Sequence, residues 1–187
     1  MMILPIYIYG HPVLRKVAQD IDPSNYPGLN ELIDNMFETM RNAEGVGLAG
    51  PQVGLEERVF VMDLSPLATE EYPEFKDFTK VFINARITER KGELEAMEEG
   101  CLSVPGIHEK VSREGEIRIS YLDENLVPRD EVYTGYMARV IQHEYDHLDG
   151  ILFIDKISPL RKRMVRSKLA NMEKGKVACD YKIRTAR

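Results

Sequence analysis

The chain has little cysteine: two residues in 187, Cys101 and Cys179, neither of them in a CxxC pair. That excludes a disulfide framework and points to a reducing cytoplasm. Long hydrophobic runs are also missing. The stretches "MMILPIYIYG" and "GILFI" fall well short of the roughly 20 apolar residues that span a bilayer. The N-terminus has no basic segment leading into a long apolar one, so neither secretion nor membrane insertion is expected. There is no internal repeat, no low-complexity segment, and no GxGxxG or P-loop to cradle a phosphate. What remains is 43% apolar residues in a chain of ordinary length, enough for one domain, 1–187, with a proper core.

Charge is unevenly placed. Residues 155–187 carry eleven Lys/Arg against Asp155, Glu173 and Asp180, whereas the rest carries fourteen basic and twenty-eight acidic residues. The pattern predicts an acidic body with a basic helix and tail over 158–187, which is either a solvated face or a contact for something anionic.

Apolar periodicity gives the elements. Leu29, Leu32, Ile33, Met36, Phe37 and Met40 form one helical stripe, with Pro27 and Gly28 before it and an end near Asn42. The period then changes, and "RVFVMD", "KVFINARI" and "EIRISYLD" read as strands. The acidic, proline-containing stretch 64–79 reads as a surface loop, and the short "DEN" at 123–125 fits antiparallel pairing. A second helix covers 136–148 with Met137, Val140, Ile141 and Leu148 on its stripe. A third covers 159–174, with Ser158 as N-cap, Pro159 at the first position and Gly175 at the stop. The tail "KVACDYKIR" reads as a last short strand. Helices at the ends with strands between them make the fold class α+β. The expected arrangement is antiparallel sheets packed around the second helix.

That helix contains "QHEYDHLDG", 142–150. Residues four apart differ by about 40° around a helix and about 6 Å along it, so His143 and His147 can converge on one ion. Glu144 is rotated about 100° from His143, too far to join easily as a ligand but near enough to reach a water on the metal. A metal ion lowers the pKa of its water to about 7, and an adjacent carboxylate can take the proton as the water attacks a carbonyl. The "LDG" that ends the helix suggests an edge where substrate could approach. The same five residues also occur in helices whose histidines are solvated or packed in a core. The third ligand is not fixed by this helix. The extended motif HExxHxxGxxH is excluded because Phe153 stands where its last histidine would be. His11 and His108 lie in turn-like contexts, and Cys101 in "EEGCLSVPG" could supply a thiolate or be a small buried hydrophobe. Cys179, with no histidine or glycine signature beside it, reads as structural or exposed.

Three segments, "GVGLAGPQVG" at 45–54, "EGCLSVPG" at 99–106 and "QHEYDHLDG", together resemble the motifs of the peptide deformylases in order and spacing. The similarity runs from "ILPIYIYGHPVLR" at 3–15 to "GILFIDKISPLRKR" at 150–163. The resemblance implies Cys101, His143 and His147 as metal ligands, for ferrous iron first, with zinc, nickel or cobalt as substitutes. It implies Glu144 as general base and then acid, and the Gln52 side chain with the Leu102 backbone N–H as oxyanion donors. Gly47 would bond the substrate backbone, and Val46, Val140 and Ile141 would line the methionine pocket. The implied reaction removes formyl from the N-terminal methionine of nascent chains and releases formate. A basic tail could then meet the RNA of the ribosome. Gly50 departs from the family's usual alanine, Ala85 stands where proline is frequent, and His108 where an arginine is common. Competing readings are a general HExxH endopeptidase and a non-enzymatic metal-storing or RNA-associated module.

Overall fold

A computed structural model describes residues 1–186. Its elements are β1 (Ile6–Tyr7), α1 (Leu29–Asn42), β2 (Gly47–Ala49), β3 (Val59–Asp63), β4 (Thr79–Glu99), β5 (Glu109–Leu122), β6 (Pro128–Thr134), α2 (Gly135–Leu148), α3 (Pro159–Glu173) and β7 (Ile183–Arg184). Strands β2 to β6 form one antiparallel sheet in chain order.

β3 shows how the sheet organises the core. Its side chains alternate, as the pleat requires. Val59 and Val61 join Ile33, Met36 and Met40 of α1 on one face. Phe60 and Met62 join Ile141, Tyr145 and Leu148 of α2 on the other. The sheet therefore separates α1 from α2, and Phe60 stacks on Phe82 with ring centroids 4.5 Å apart. A third apolar cluster, with Ile8, Val104, Val111, Phe153, Val165 and Met172, joins α3 to the N-terminal segment and to the loop between β4 and β5.

Several expected bounds change. β4 runs on through "TERKGELEAMEE" to Glu99, most of it exposed. It is held by its long ladder to β5, with register shifts near Ile83, Ile87 and Lys91. Backbone pairing rather than burial makes that half a strand, so it leaves no alternating signal. β6 is equally polar and pairs with β5 along its length. Stretch 64–79 contains two short 3-10 turns and buries Phe75. Not every sheet is antiparallel, because β7 pairs in parallel with β1. This pairing brings the tail back to the N-terminus.

Ser158 caps α3, its hydroxyl accepting from Arg161 N at 3.3 Å, and Gly175 adopts φ +71° just past the helix end. No helix among the described residues is long and apolar enough to cross a membrane.

Candidate active site

The β4–β5 ladder closes at Glu99 opposite Glu109, so the loop carrying Cys101 lies at the far end of a rigid ribbon. α2 lies against this ribbon and brings its histidines to Cys101. The ligand atoms of Cys101, His143 and His147 lie within 4.8 Å of one another. Cys101 Sγ is 3.3 Å from His147 Nε2. His143 Nδ1 donates to Glu99 Oε2 at 2.8 Å, which fixes the tautomer and leaves Nε2 free to ligate. Phe153, at the position the extended motif gives to histidine, packs against the His143 ring at 5.9 Å.

The residues that hold this geometry have no motif. Glu99 accepts from Arg113 Nε and Nη2 at 2.6 and 3.0 Å and from Arg139 Nη1 at 2.8 Å, and Arg113 Nη1 donates to Asp146 at 2.8 Å. Burial works against ionisation of Glu99, but His143 and Arg113 outweigh it and lower its pKa to about 2. Burial also opposes protonation of His143, yet Cys101 and Glu99 raise it well above the usual range, while burial pushes His147 down.

Glu144 is 4% exposed, and burial pushes its pKa up to about 7. Its Oε2 has no protein partner. Gly47 lies against it, and a Cβ there would come within 2.4 Å of Glu144 Oε1. Only glycine lets the strand approach the carboxylate so closely. Gln52 is oriented by the backbone: Ala49 N–H must donate to Oε1, at 2.9 Å, so the amide NH2 faces Ser103 Oγ at 3.2 Å and Cys101 Sγ at 3.5 Å. At Gly50 a Cβ would lie 2.7 Å from the Glu57 carbonyl oxygen, which accounts for the smaller residue.

A cleft of about 610 Å³ opens over this cluster, and Val46, Gly47, Gln52, Leu102, Val140 and Glu144 line it. Two expectations are corrected. Ile141 is fully buried in the core with Phe60 and Phe82, because one step around α2 from Val140 points it at the sheet. The helix end at "LDG" is not an opening: Arg58 Nη1 donates to Leu148 O and Asp149, and Ala18 N donates to Leu148 O. The cleft instead faces the first turns of α2, at Tyr136 and Arg139. Cys179, expected to be structural or exposed, is partly buried, and with Ala178, Asp180 and Tyr181 it forms one side of the cleft. His108 is exposed at the rim, its ring against Gly100.

One soft thiolate and two imidazoles, beside a buried carboxylate with an unpartnered oxygen, fit a divalent ion of the iron, cobalt, nickel or zinc kind. The arrangement has relatives. The sequence model described as Polypeptide deformylase matches residues 3–163. The peptide deformylase of Christiangramia forsetii is 54% identical over 98% of this chain and 96% of its own, and that of Flavobacterium johnsoniae is 50% identical over 99% and 97%. Among solved structures, the peptide deformylase from Thermus thermophilus superposes with a TM-score of 0.81 at 40% identity, over 93% of this chain and 99% of that one. The enzyme from Synechococcus elongatus in complex with actinonin gives 0.79 at 36%, over 88% and 87%. With Cys101, the HExxH helix and Gln52 converging on one cleft and this likeness extending along almost the whole sequence, the chain belongs to the polypeptide deformylase family.

Proposed function

We propose that this cleft removes the formyl group from N-terminal formylmethionine of newly made chains and releases formate. The observation that carries the reading is the cluster of Cys101, His143 and His147, with Cys101 and His143 lining the cleft beside Gln52 and Glu144. Cys101, His143 and His147 would hold the metal, ferrous iron first, with zinc, nickel or cobalt able to replace it. When bound, such an ion supplies Lewis acidity and lowers the pKa of a coordinated water.

The chain's own groups do the rest. Glu144, buried and titrating near neutrality, takes the proton of the attacking water at Oε2 and returns it to the leaving amine. The Gln52 amide and the Leu102 N–H aim at the formyl oxygen as it gains charge. Gly47 offers close backbone approach to the peptide, and Val46 and Val140 give the methionine side chain an apolar wall.

The whole chain, 1–187, acts as one catalytic domain, because its tail lines the cleft. The free cysteines suit a reducing cytoplasm. Exposed Lys162, Arg163, Arg166 and Lys168 on α3 suit a salt-sensitive contact with ribosomal RNA. Charge reversal at those four positions is the probe for that contact, because deleting 158–187 would also remove a side of the cleft.

Metal-replete protein handled anaerobically should release formate from formyl-Met-Ala-Ser, and failure to do so would overturn the reading. Glu144→Gln should lower turnover by about 10²- to 10⁴-fold while the metal is retained. Internal cleavage of unblocked peptides, seen by mass spectrometry, would favour a general endopeptidase instead.

A further inference from the structure

The loop that follows Cys101 is tied down one carbonyl at a time. Cys101 O accepts from Val104 N at 2.9 Å, and Ser103 O accepts from Tyr9 N at 2.7 Å. The carbonyl between them, Leu102 O, accepts from the Tyr181 hydroxyl at 2.7 Å. Ser103 and Val104 are fully buried, whereas Leu102 is only partly so, its side chain leaning on Gly45. Core packing therefore holds the loop less firmly at Leu102 than at the two residues that follow it.

Tyr181 is itself well anchored. The carbonyl of the residue after it, Lys182, accepts from Ile6 N at 2.8 Å, and Arg184 O accepts from Ile8 N at 3.1 Å. These are the bonds of the parallel β1–β7 pair. The strand that receives the tail thus continues directly into Tyr9, which holds Ser103.

We propose that Tyr181 is a positioning residue for the deformylase reaction, its hydroxyl fixing the Leu102 carbonyl and through it the direction of the Leu102 backbone N–H. The inference rests on the proposed role of that N–H as an oxyanion donor. The peptide planes on either side of the Leu102 Cα are pinned separately, one through Cys101 O and the other through Leu102 O. Releasing the second frees the Leu102–Ser103 plane to rotate about the Leu102 Cα, so the plane carrying the Leu102 N–H keeps its bond from Val104 N but loses the support of a fixed neighbour. A donor aimed at charge that develops during reaction contributes only while its direction is held. Tyr181 lies beyond residue 163, where the match to the family's sequence model ends.

Tyr181→Phe keeps the ring and removes only the hydroxyl. A neutral hydrogen bond is worth about 1 kcal/mol net, so the expected result is a fall of roughly three- to tenfold in kcat on formyl-Met-Ala-Ser. KM should stay within about twofold and metal content should not change, because the loss of rate falls on the transition state, while Tm should drop by only about 2–4 °C for the lost hydrogen bond. Amide hydrogen exchange across 100–105 should quicken while that of α2 does not. An unchanged kcat, or a fall matched by a rise in KM or by loss of metal, would overturn the proposal, and so would unchanged exchange in 100–105. If the wild-type chain itself released no formate, the functional reading would fail, and the exchange comparison would still decide whether Tyr181 restrains the loop.

Discussion

Arg113 and Arg118 lie five positions apart on β5 and make almost the same contact. Arg113 grips Glu99 through Nε and Nη2 at 2.6 and 3.0 Å, and Arg118 grips Asp130 through the same atoms at 2.9 and 2.8 Å. Their surroundings differ: the side chains of the first pair are 3% and 5% exposed, those of the second 52% and 51%. Both forks have the bidentate geometry that makes arginine–carboxylate pairs specific. Only the first is shielded from water, and only the first touches a ligand of the candidate metal site, through Glu99 and His143. Geometry alone therefore does not rank the two, since burial sets how badly the remaining group fares once its partner is gone.

Breaking the inner pair should have the largest effect. Arg113→Met strands Glu99 and Asp146 as buried carboxylates, and removing one partner of a buried pair costs about 3 to 5 kcal/mol. Arg139 and Lys156 partly compensate, so urea unfolding should show a loss near about 3 kcal/mol, accompanied by weaker metal retention. A variant within error of wild type in both respects would show that the buried lattice does not hold α2 in place.

Glu99→Gln should come next. It keeps an acceptor for His143 but removes the charge, and loss of a partner behind a metal ligand costs roughly 10- to 100-fold in metal affinity, measurable by competition with a chelator. The same variant tests the electrostatics. Glu99 is held at about 2, below its ordinary 4.5, so its ionisation contributes stability above about pH 4.5 that is lost as the pH falls toward 2. The stability gap between wild type and Glu99→Gln should narrow over that window. A gap independent of pH would mean that Glu99 acts through shape alone.

How much of this was legible depends on whether a residue's role is set locally. The HExxH spacing places two imidazoles and a carboxylate by helix geometry alone, so His143, His147 and Glu144 were readable, and α1 was readable from its stripe. Arg113 and Arg139 were not, because their meeting with Glu99 depends on the β4–β5 register, which contains three shifts, and on how α2 docks against it. Glu99 had one signal, a carboxylate two residues before Cys101 in "EEGC". The resemblance implies that Ile141 lines the methionine pocket beside Val140, but neighbouring positions on a helix face different ways, and the stripe does not say which of them meets the cleft. The tail reads as a strand in the sequence but not as a side of the site, since its partner, β1, lies at the other end of the chain.

The outer pair gives the smallest effect and sharpens the contrast. Arg118 and Asp130 face solvent on the β5–β6 hairpin, and each shifts the other's titration through direct hydrogen bonds, Arg118 upward and Asp130 downward. Water solvates either group well when its partner is gone, and salt screens the attraction between them. Arg118→Ala should therefore leave Tm within about 1 °C of wild type, with formate release and metal content unchanged. Whatever small coupling a double-mutant cycle with Asp130→Ala detects at low ionic strength should fade at about 0.5 M salt, whereas the loss in Arg113→Met should persist there. If Arg118→Ala instead destabilised the chain as Arg113→Met does, in high salt as in low, the bidentate fork rather than its burial would be the controlling feature, and the hairpin would be carrying strain from the long β4–β5 ribbon.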